Sequence, residues 1–252
     1  MKPFLQDADF TLYNGDALEV LAGLDDEFEL VFTSPPYNMG VSTGGSFPRG
    51  RSYGKLSGGL LAGGYDEDRD ARPWPEYIEW QQAVLRECWR LLSPAGAIFY
   101  NHKPRVQDGK LLHPRQFVPP ELEIRQEIIW ARPGGINAGI THYCSTYEVI
   151  IVIPKPSFRL RDKSASMIGD VWRATPDVNT EHPAPFPVSL PGRALETTGA
   201  TSLLDPFSGS GSALVAAVSR GVRAVGVELS ANYCALSAKR LQQLSLLSEV
   251  GT

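Results

Sequence analysis

A hydroxyl, a proline carbonyl and an aromatic ring lie within one pentapeptide, Thr33-Ser34-Pro35-Pro36-Tyr37. Each proline fixes its own φ near about −65° and lacks an N–H, and Pro36 pushes Pro35 towards extended geometry. The Pro35 carbonyl is thereby left outside any strand ladder. Ser34, Pro35 and Tyr37 together form a cradle for a flat group carrying an amine. Such an amine donates to both oxygens while its ring stacks on the tyrosine. Alone, the pentapeptide reads equally well as a proline-terminated strand with a packing tyrosine.

A second stretch changes that balance. Thr201-Ser202-Leu203-Leu204 reads as a strand running into Asp205-Pro206-Phe207-Ser208-Gly209-Ser210-Gly211, followed by a helix through Ala213–Ala217. A further strand, Ala224–Val227, ends in Glu228, and a last helix carries Tyr233, Leu236 and Leu241. Gly209 and Gly211 let a ligand approach the backbone where a strand becomes a helix. An acidic residue one strand–helix–strand unit later is placed to hold ribose hydroxyls. The pattern is a nucleoside site. Leu214 occupies the third glycine position of the dinucleotide fingerprint, and no GK[ST] follows, so hydride transfer and a phosphate loop both lose support.

The elements that must position these motifs alternate strand and helix. Phe10–Tyr13, a turn at Asn14–Asp16, a helix to about Leu24 and the strand Phe28–Phe32 form a βαβ unit. A right-handed crossover puts both strand ends on one edge of a parallel sheet, which predicts Asp16 beside Ser34. Asp16 also reads as a plain helix N-cap. Residues 38–73 are rich in glycine and arginine without periodicity, and are expected to be an inserted loop that closes over substrate, with Arg49, Arg51, Lys55, Arg69 and Arg72 towards phosphates. A helix follows from Trp74 to Leu92, ended by Ser93-Pro94-Ala95-Gly96, then the strand Ala97–Tyr100 and a mildly basic loop that begins with Asn101-His102-Lys103-Pro104-Arg105 and runs to about Pro120. Glu127–Trp130 and Tyr147–Ile153 are strands, separated by a turn at Arg132–Gly135. All of these are expected to build sheet rather than chemistry. Residues 154–181 read as irregular, with Arg159, Arg161 and Lys163. The proline-dense His182–Pro187 opens a helix from Val188 to about Thr198, whose N-terminus suits a carboxylate.

Bulk properties fit one α/β domain. The chain has 252 residues, 42% hydrophobic and 21% charged. Met1-Lys2-Pro3 leads into acidic residues rather than a signal peptide, and no apolar run approaches the ~18 residues of a membrane helix, so a cytoplasmic location is expected. Three widely spaced cysteines, Cys88, Cys144 and Cys234, argue against disulfides or a CxxC metal site and are expected to be small core residues; no metal is implied. A formal charge of −4 disfavours non-specific attraction to nucleic acid, although a local basic face is compatible with it.

With both motifs in hand, the chain resembles the beta class of S-adenosylmethionine-dependent DNA amino-methyltransferases, over nearly its whole length and in motif order: TSPPY, the strand pieces, EHPAPFP, DPFSGSG and VGVEL. The resemblance implies a doubly wound, mostly parallel, Rossmann-like sheet in circularly permuted order, of the kind found in restriction–modification systems. It implies that Asp205, Phe207, Ser208, Gly209 and Gly211 line the methionine side of the cofactor, with Thr33 beside them. Glu228 and Leu229 would meet the ribose, Asp16 the adenine amine, and Phe186 with its neighbours the cofactor carboxylate. Ser34, Pro35, Pro36 and Tyr37 would hold the target base, flipped out of double-stranded DNA.

The exocyclic amine is a poor nucleophile because its lone pair is delocalised into the ring. Hydrogen bonds to Ser34 Oγ and the Pro35 carbonyl turn it towards tetrahedral geometry for an in-line displacement. No cysteine follows a proline in such a motif, which weighs against methylation at a ring carbon. Relatives with serine at the first motif position mostly methylate the cytosine amine (N4), and those with aspartate the adenine amine (N6); Ser34 favours cytosine. The segment 154–181, where target recognition usually lies, is short. Base readout then falls to the 38–73 and 103–120 loops, to a short relaxed recognition, or to a homodimer. Competing readings are N6-adenine methylation, methylation of a protein side-chain amide, whose enzymes usually place the cofactor motif first, and a binding module without activity.

Overall fold

The computed structural model describes residues 2–38, 71–107, 109–133, 140–175 and 186–250, with side chains to 244. Eleven strands are present among them: β1 (Leu5–Gln6), β2 (Phe10–Asn14), β3 (Phe28–Thr33), β4 (Leu92–His102), β5 (Arg105–Gln107), β6 (Lys110–Leu112), β7 (Gln126–Ala131), β8 (Tyr147–Pro154), β9 (Val171–Arg173), β10 (Ser202–Asp205) and β11 (Arg223–Glu228). The helices are α1 (Ala17–Ala22), α2 (Trp74–Arg90), α3 (Lys163–Ser166), α4 (Ser189–Thr198), α5 (Ser212–Val218) and α6 (Ala231–Val250).

One sheet runs β1-β2-β11-β10-β3-β4-β8-β7-β9, and β5 with β6 form a separate hairpin. Strands β2, β11, β10, β3 and β4 are mutually parallel, so their carboxyl ends share one edge. From β10 the chain winds outward to β11, and from β3 outward to β4. The boundary between β10 and β3 is therefore the topological switch point, where ligand crevices of open α/β sheets form. The mixed α/β, mostly parallel sheet is the fold expected from the sequence.

Helices cover both faces because alternate strand residues point to opposite sides. Leu30, Phe32, Ala97 and Phe99 pack on one side with Leu190 and Ala194 of α4, Ala213 and Ala217 of α5, and Cys234 and Leu241 of α6. Val31, Ile98 and Tyr100 pack on the other with Leu21 of α1 and Tyr77, Leu85 and Cys88 of α2. Cys88 and Cys234 are buried core residues, as expected, and Cys144 is half-buried. No described helix is long and apolar enough to cross a membrane.

The structure departs from the sequence reading in several places. Asp16 is not beside Ser34: β2 and β3 end on the same edge, but β11 and β10 lie between them. The βαβ rule fixes the edge and the hand, not adjacency. Ser93–Gly96 does not separate helix from strand; it lies within β4 as an irregularity, with Phe28 opposite Leu92 and Leu30 already opposite Ala97. The 103–120 loop contains the β5–β6 hairpin and a short 3₁₀ turn, Pro114–Phe117, elements too brief for periodicity to reveal. Within 154–181, Val171–Arg173 pairs with β7 as the outermost strand and buries Trp172. The expectations for residues 39–70, for the Gly134-Gly135 turn and for 176–185, including most of the HPAPFP stretch, lie outside the described residues.

Candidate active site

Two groups of residues meet at the carboxyl edge on either side of the switch point. The first belongs to β10, β11 and the turns after them. Gly211 opens α5 with φ 81, a backbone that side chains resist, and a Cβ there would strike the Ser237 hydroxyl. The turn is therefore held close against α6. Glu228, at the end of β11, accepts from the Gly209 N–H at 2.8 Å through one oxygen and from the Ser230 N–H at 2.9 Å through the other. Its carboxylate is pinned in one orientation beside the glycine turn. An acceptor-only group so held suits a pair of vicinal hydroxyls.

Asp205 is wholly buried at the end of β10. Its Oδ1 accepts from the Thr33 hydroxyl at 2.8 Å and from the Phe207 N–H at 3.1 Å, while its Oδ2 has no partner among the described residues. Burial raises this carboxyl to about 7, opposed by the Thr33 and Phe207 hydrogen bonds and reinforced by the charge of Glu228. The Ser208, Ser212 and Ser237 hydroxyls are likewise buried without partners among the described residues. Orphaned buried polar atoms are costly unless something occupies them. An unpaired carboxylate oxygen, three unpaired hydroxyls and a glycine turn that excludes a Cβ fit a small polar ligand with a cationic group and a nucleoside end.

Asp16 and Phe186 stand further out. Asp16 caps α1, accepting from Leu18 N at 2.9 Å and Glu19 N at 3.2 Å. It lies near Glu228 and Leu229, because Gly15 N donates to the Glu228 carbonyl and Asn14 Nδ2 to the carbonyls of both. Leu229 is exposed beside it. Phe186 is buried, its ring 5.4 Å from Phe32. Phe207 is half-buried and meets Trp80 edge-on at 5.3 Å.

The second group surrounds Ser34. The half-buried Ser34 and Tyr37 follow β3, with Pro35 buried between them. No described residue donates to the Pro35 carbonyl. The Pro36 carbonyl, by contrast, is held by the Tyr77 hydroxyl at 2.7 Å, which also lies 2.8 Å from His102 Nε2. Burial lowers His102 to about 3, so the imidazole is neutral. The Tyr37 ring packs on it at 4.5 Å.

Beyond the turn, Arg105 of β5 donates to the carbonyls of Tyr37 and Asn38. Asn38 adopts φ 55 and exchanges two hydrogen bonds with the backbone of Arg72, at 2.8 and 2.7 Å. The two ends of the long insertion are thus held together beside Tyr37.

Sequence reading missed two residues that touch the motif and a third that pairs with one of them. Asn101 at the end of β4 and Glu148 at the start of β8 are almost fully buried. Asn101 Nδ2 lies 3.1 Å from Ser34 Oγ and 2.8 Å from both the Tyr37 hydroxyl and Glu148 Oε2. Tyr37 donates to Glu148 Oε2 at 2.8 Å, and its hydroxyl is 2.7 Å from Ser34 Oγ. Arg132 pairs with Glu148 Oε1 at 3.0 Å. The expectation that these strands only build sheet is therefore corrected. The available signal was one polar residue at the site end of each otherwise apolar run, Asn101 after Ile98–Tyr100 and Glu148 before Val149–Ile153.

Ser34 follows β3 and Asp205 ends β10, two adjacent strands joined by the Thr33–Asp205 bond. An amine-accepting pocket thus adjoins a nucleoside-type cradle.

Comparison with known proteins agrees with this geometry. A family model described as DNA methylase, covering N6 and N4 types, matches residues 28–239. The Type II methyltransferase M.BglII of Bacillus subtilis is 27% identical over 88% of this chain and 66% of its own length, just under two thirds. A DNA modification methylase homologue from Thermus thermophilus, TTHA0409, solved in complex with S-adenosyl-L-methionine, is 25% identical with a TM-score of 0.61, over 92% of this chain and 93% of that one. The cytosine-N4-specific PvuII DNA methyltransferase shares the fold at a TM-score of 0.71 and 18% identity, over 97% of this chain and 93% of its own.

Proposed function

This chain belongs to the DNA methylase family, and from that premise we propose that it transfers a methyl group from S-adenosylmethionine to the N4 amine of cytosine in double-stranded DNA. The observation that carries the proposal is that Ser34 and Pro35 directly follow Thr33, whose hydroxyl donates to the buried Asp205.

The cradle residues fit the cofactor. Asp205, with its unpaired Oδ2, and Phe207, Ser208, Gly209 and Gly211 hold the methionine end, and Thr33 keeps Asp205 in place. Glu228 and Leu229 take the ribose, and Asp16, two strands beyond Asp205, takes the adenine amine. Phe186 closes the floor beside Phe32. When bound, S-adenosylmethionine supplies an electrophilic methyl group on a sulfonium sulfur.

The remaining chemistry belongs to this chain. Ser34 Oγ and the Pro35 carbonyl accept the two N–H groups of the target amine, draw its lone pair out of conjugation and aim it. Tyr37, its ring backed by His102, offers the plane against which a flipped base stacks, which offsets part of the few kcal/mol that unstacking costs. Ser34, serine being the residue found in relatives that mostly methylate the cytosine amine, supports cytosine over adenine within a family that includes both.

Incubation with methyl-labelled S-adenosylmethionine and mixed-sequence duplex DNA tests the proposal. Label entering DNA is the expected result. Cofactor binding with label absent from DNA would contradict it and turn attention to a protein amide.

A further inference from the structure

Ser34 can turn its hydroxyl hydrogen towards an incoming amine or away from it, and only the second leaves an acceptor facing the amine. We propose that Glu148 makes this choice: it is a positioning residue that acts through Tyr37 to hold Ser34 as an acceptor and to receive the proton the amine loses. The proposal rests on the amine-methyltransferase reading above.

The direction of each hydrogen bond follows from donor and acceptor inventory. A carboxylate only accepts, so Tyr37 commits its single hydroxyl hydrogen to Glu148 Oε2, at 2.8 Å. The 2.7 Å contact between Tyr37 and Ser34 then has one possible sense, with Ser34 donating. Asn101 Nδ2 has two hydrogens for three acceptors, and its contact with Ser34, at 3.1 Å, is the longest. At least one Ser34 lone pair is therefore left for an amine N–H. Glu148 is itself fixed by Arg132 at 3.0 Å, and both lie largely out of water, where charge-assisted bonds reinforce one another.

The same chain carries a proton. As the nitrogen–methyl bond forms and the methyl–sulfur bond breaks, the amine nitrogen becomes positively charged and must lose one hydrogen. Ser34 Oγ accepts it while passing its own hydrogen to Tyr37 Oη, and Tyr37 passes its hydrogen to Glu148. The carboxylate ends as the neutral acid and returns the proton to solvent on product release. Tyr37 thus works through its hydroxyl as well as its ring, a role that base stacking alone does not require.

The test is a double-mutant cycle on the full chain: wild type, Tyr37→Phe, Glu148→Gln and the pair, with kcat measured on duplex DNA and cofactor affinity by isothermal titration. Each single substitution is expected to lower kcat by at least ~10-fold with cofactor affinity unchanged, and the pair to be no worse than the worse single variant. Glu148→Asp, which keeps the charge, should recover part of the Glu148→Gln loss. Tyr37→Phe keeps the ring and guards against a Glu148 variant that fails to fold. Wild-type kcat in Tyr37→Phe, or losses that multiply in the pair, would overturn the relay and leave the methyltransferase reading intact. A wild-type protein that methylates no DNA amine would overturn that reading and the relay together.

Discussion

The two halves of the site stand on adjacent strands but are built by different means. The proposed cofactor cradle is made largely by backbone within one stretch: Gly209 N and Ser230 N grip Glu228, and Gly211 shapes the turn. The amine pocket is made by side chains from three strands far apart in the chain, Ser34 after β3, Asn101 on β4 and Glu148 on β8. A backbone-built site is written in contiguous sequence because the glycines that permit it must be neighbours. A side-chain network needs only the right residue at the right strand end.

This difference separates the effects of mutation. Ser34→Ala removes the acceptor from the pocket, and turnover should fall about 10²–10³-fold while cofactor affinity is unchanged, measured by single-turnover kinetics beside calorimetry. Loss of both together would mean that the halves are not separable. Glu228→Ala should do the converse, weakening cofactor binding by about 1.5–3 kcal/mol and leaving kcat at saturating cofactor near wild type. Unchanged affinity would remove Glu228 from the cradle. Gly211→Ala, which forces a side chain into a left-handed turn against Ser237, should lower cofactor-free stability by about 1–2 kcal/mol in denaturant melts.

A slope rather than a step concerns Asp205, which the Thr33 hydrogen bond links to the Ser34 turn. Burial raises its carboxyl to about 7 in the folded chain, above the ordinary value of 3.8. The folded state thus favours the protonated form, so this stabilisation is fully present below about pH 4 and is lost as pH rises to about 7. The melting temperature of cofactor-free wild type relative to Asp205→Asn should fall between pH 5 and 7 and level off above. A difference independent of pH would mean that Asp205 is ionised throughout.

The same contrast explains what was legible in the sequence. Alternating strand and helix periodicity gave the sheet, and Asp205 to Gly211 with Glu228 marked the proposed cradle, because a strand that turns into a helix over glycines demands particular residues. Ser34 to Tyr37 was equally visible. Asn101, Glu148 and Arg132 were not, since their meaning depends on β4 and β8 lying next to each other, a pairing that only the folded sheet supplies. Asp16 was misplaced for the same reason: chain order fixes which edge a strand ends on, but not how many later strands insert between β2 and β3.

The central claim is that Ser34 presents an acceptor to the exocyclic amine of cytosine. Nucleoside digestion and mass spectrometry of duplex DNA methylated by the protein test it most directly. N4-methylcytosine is the expected product, formed about 10²–10³-fold more slowly by Ser34→Ala. N6-methyladenine as the product would contradict the base assignment, and N4-methylcytosine formed at wild-type rate by Ser34→Ala would contradict the role given to Ser34.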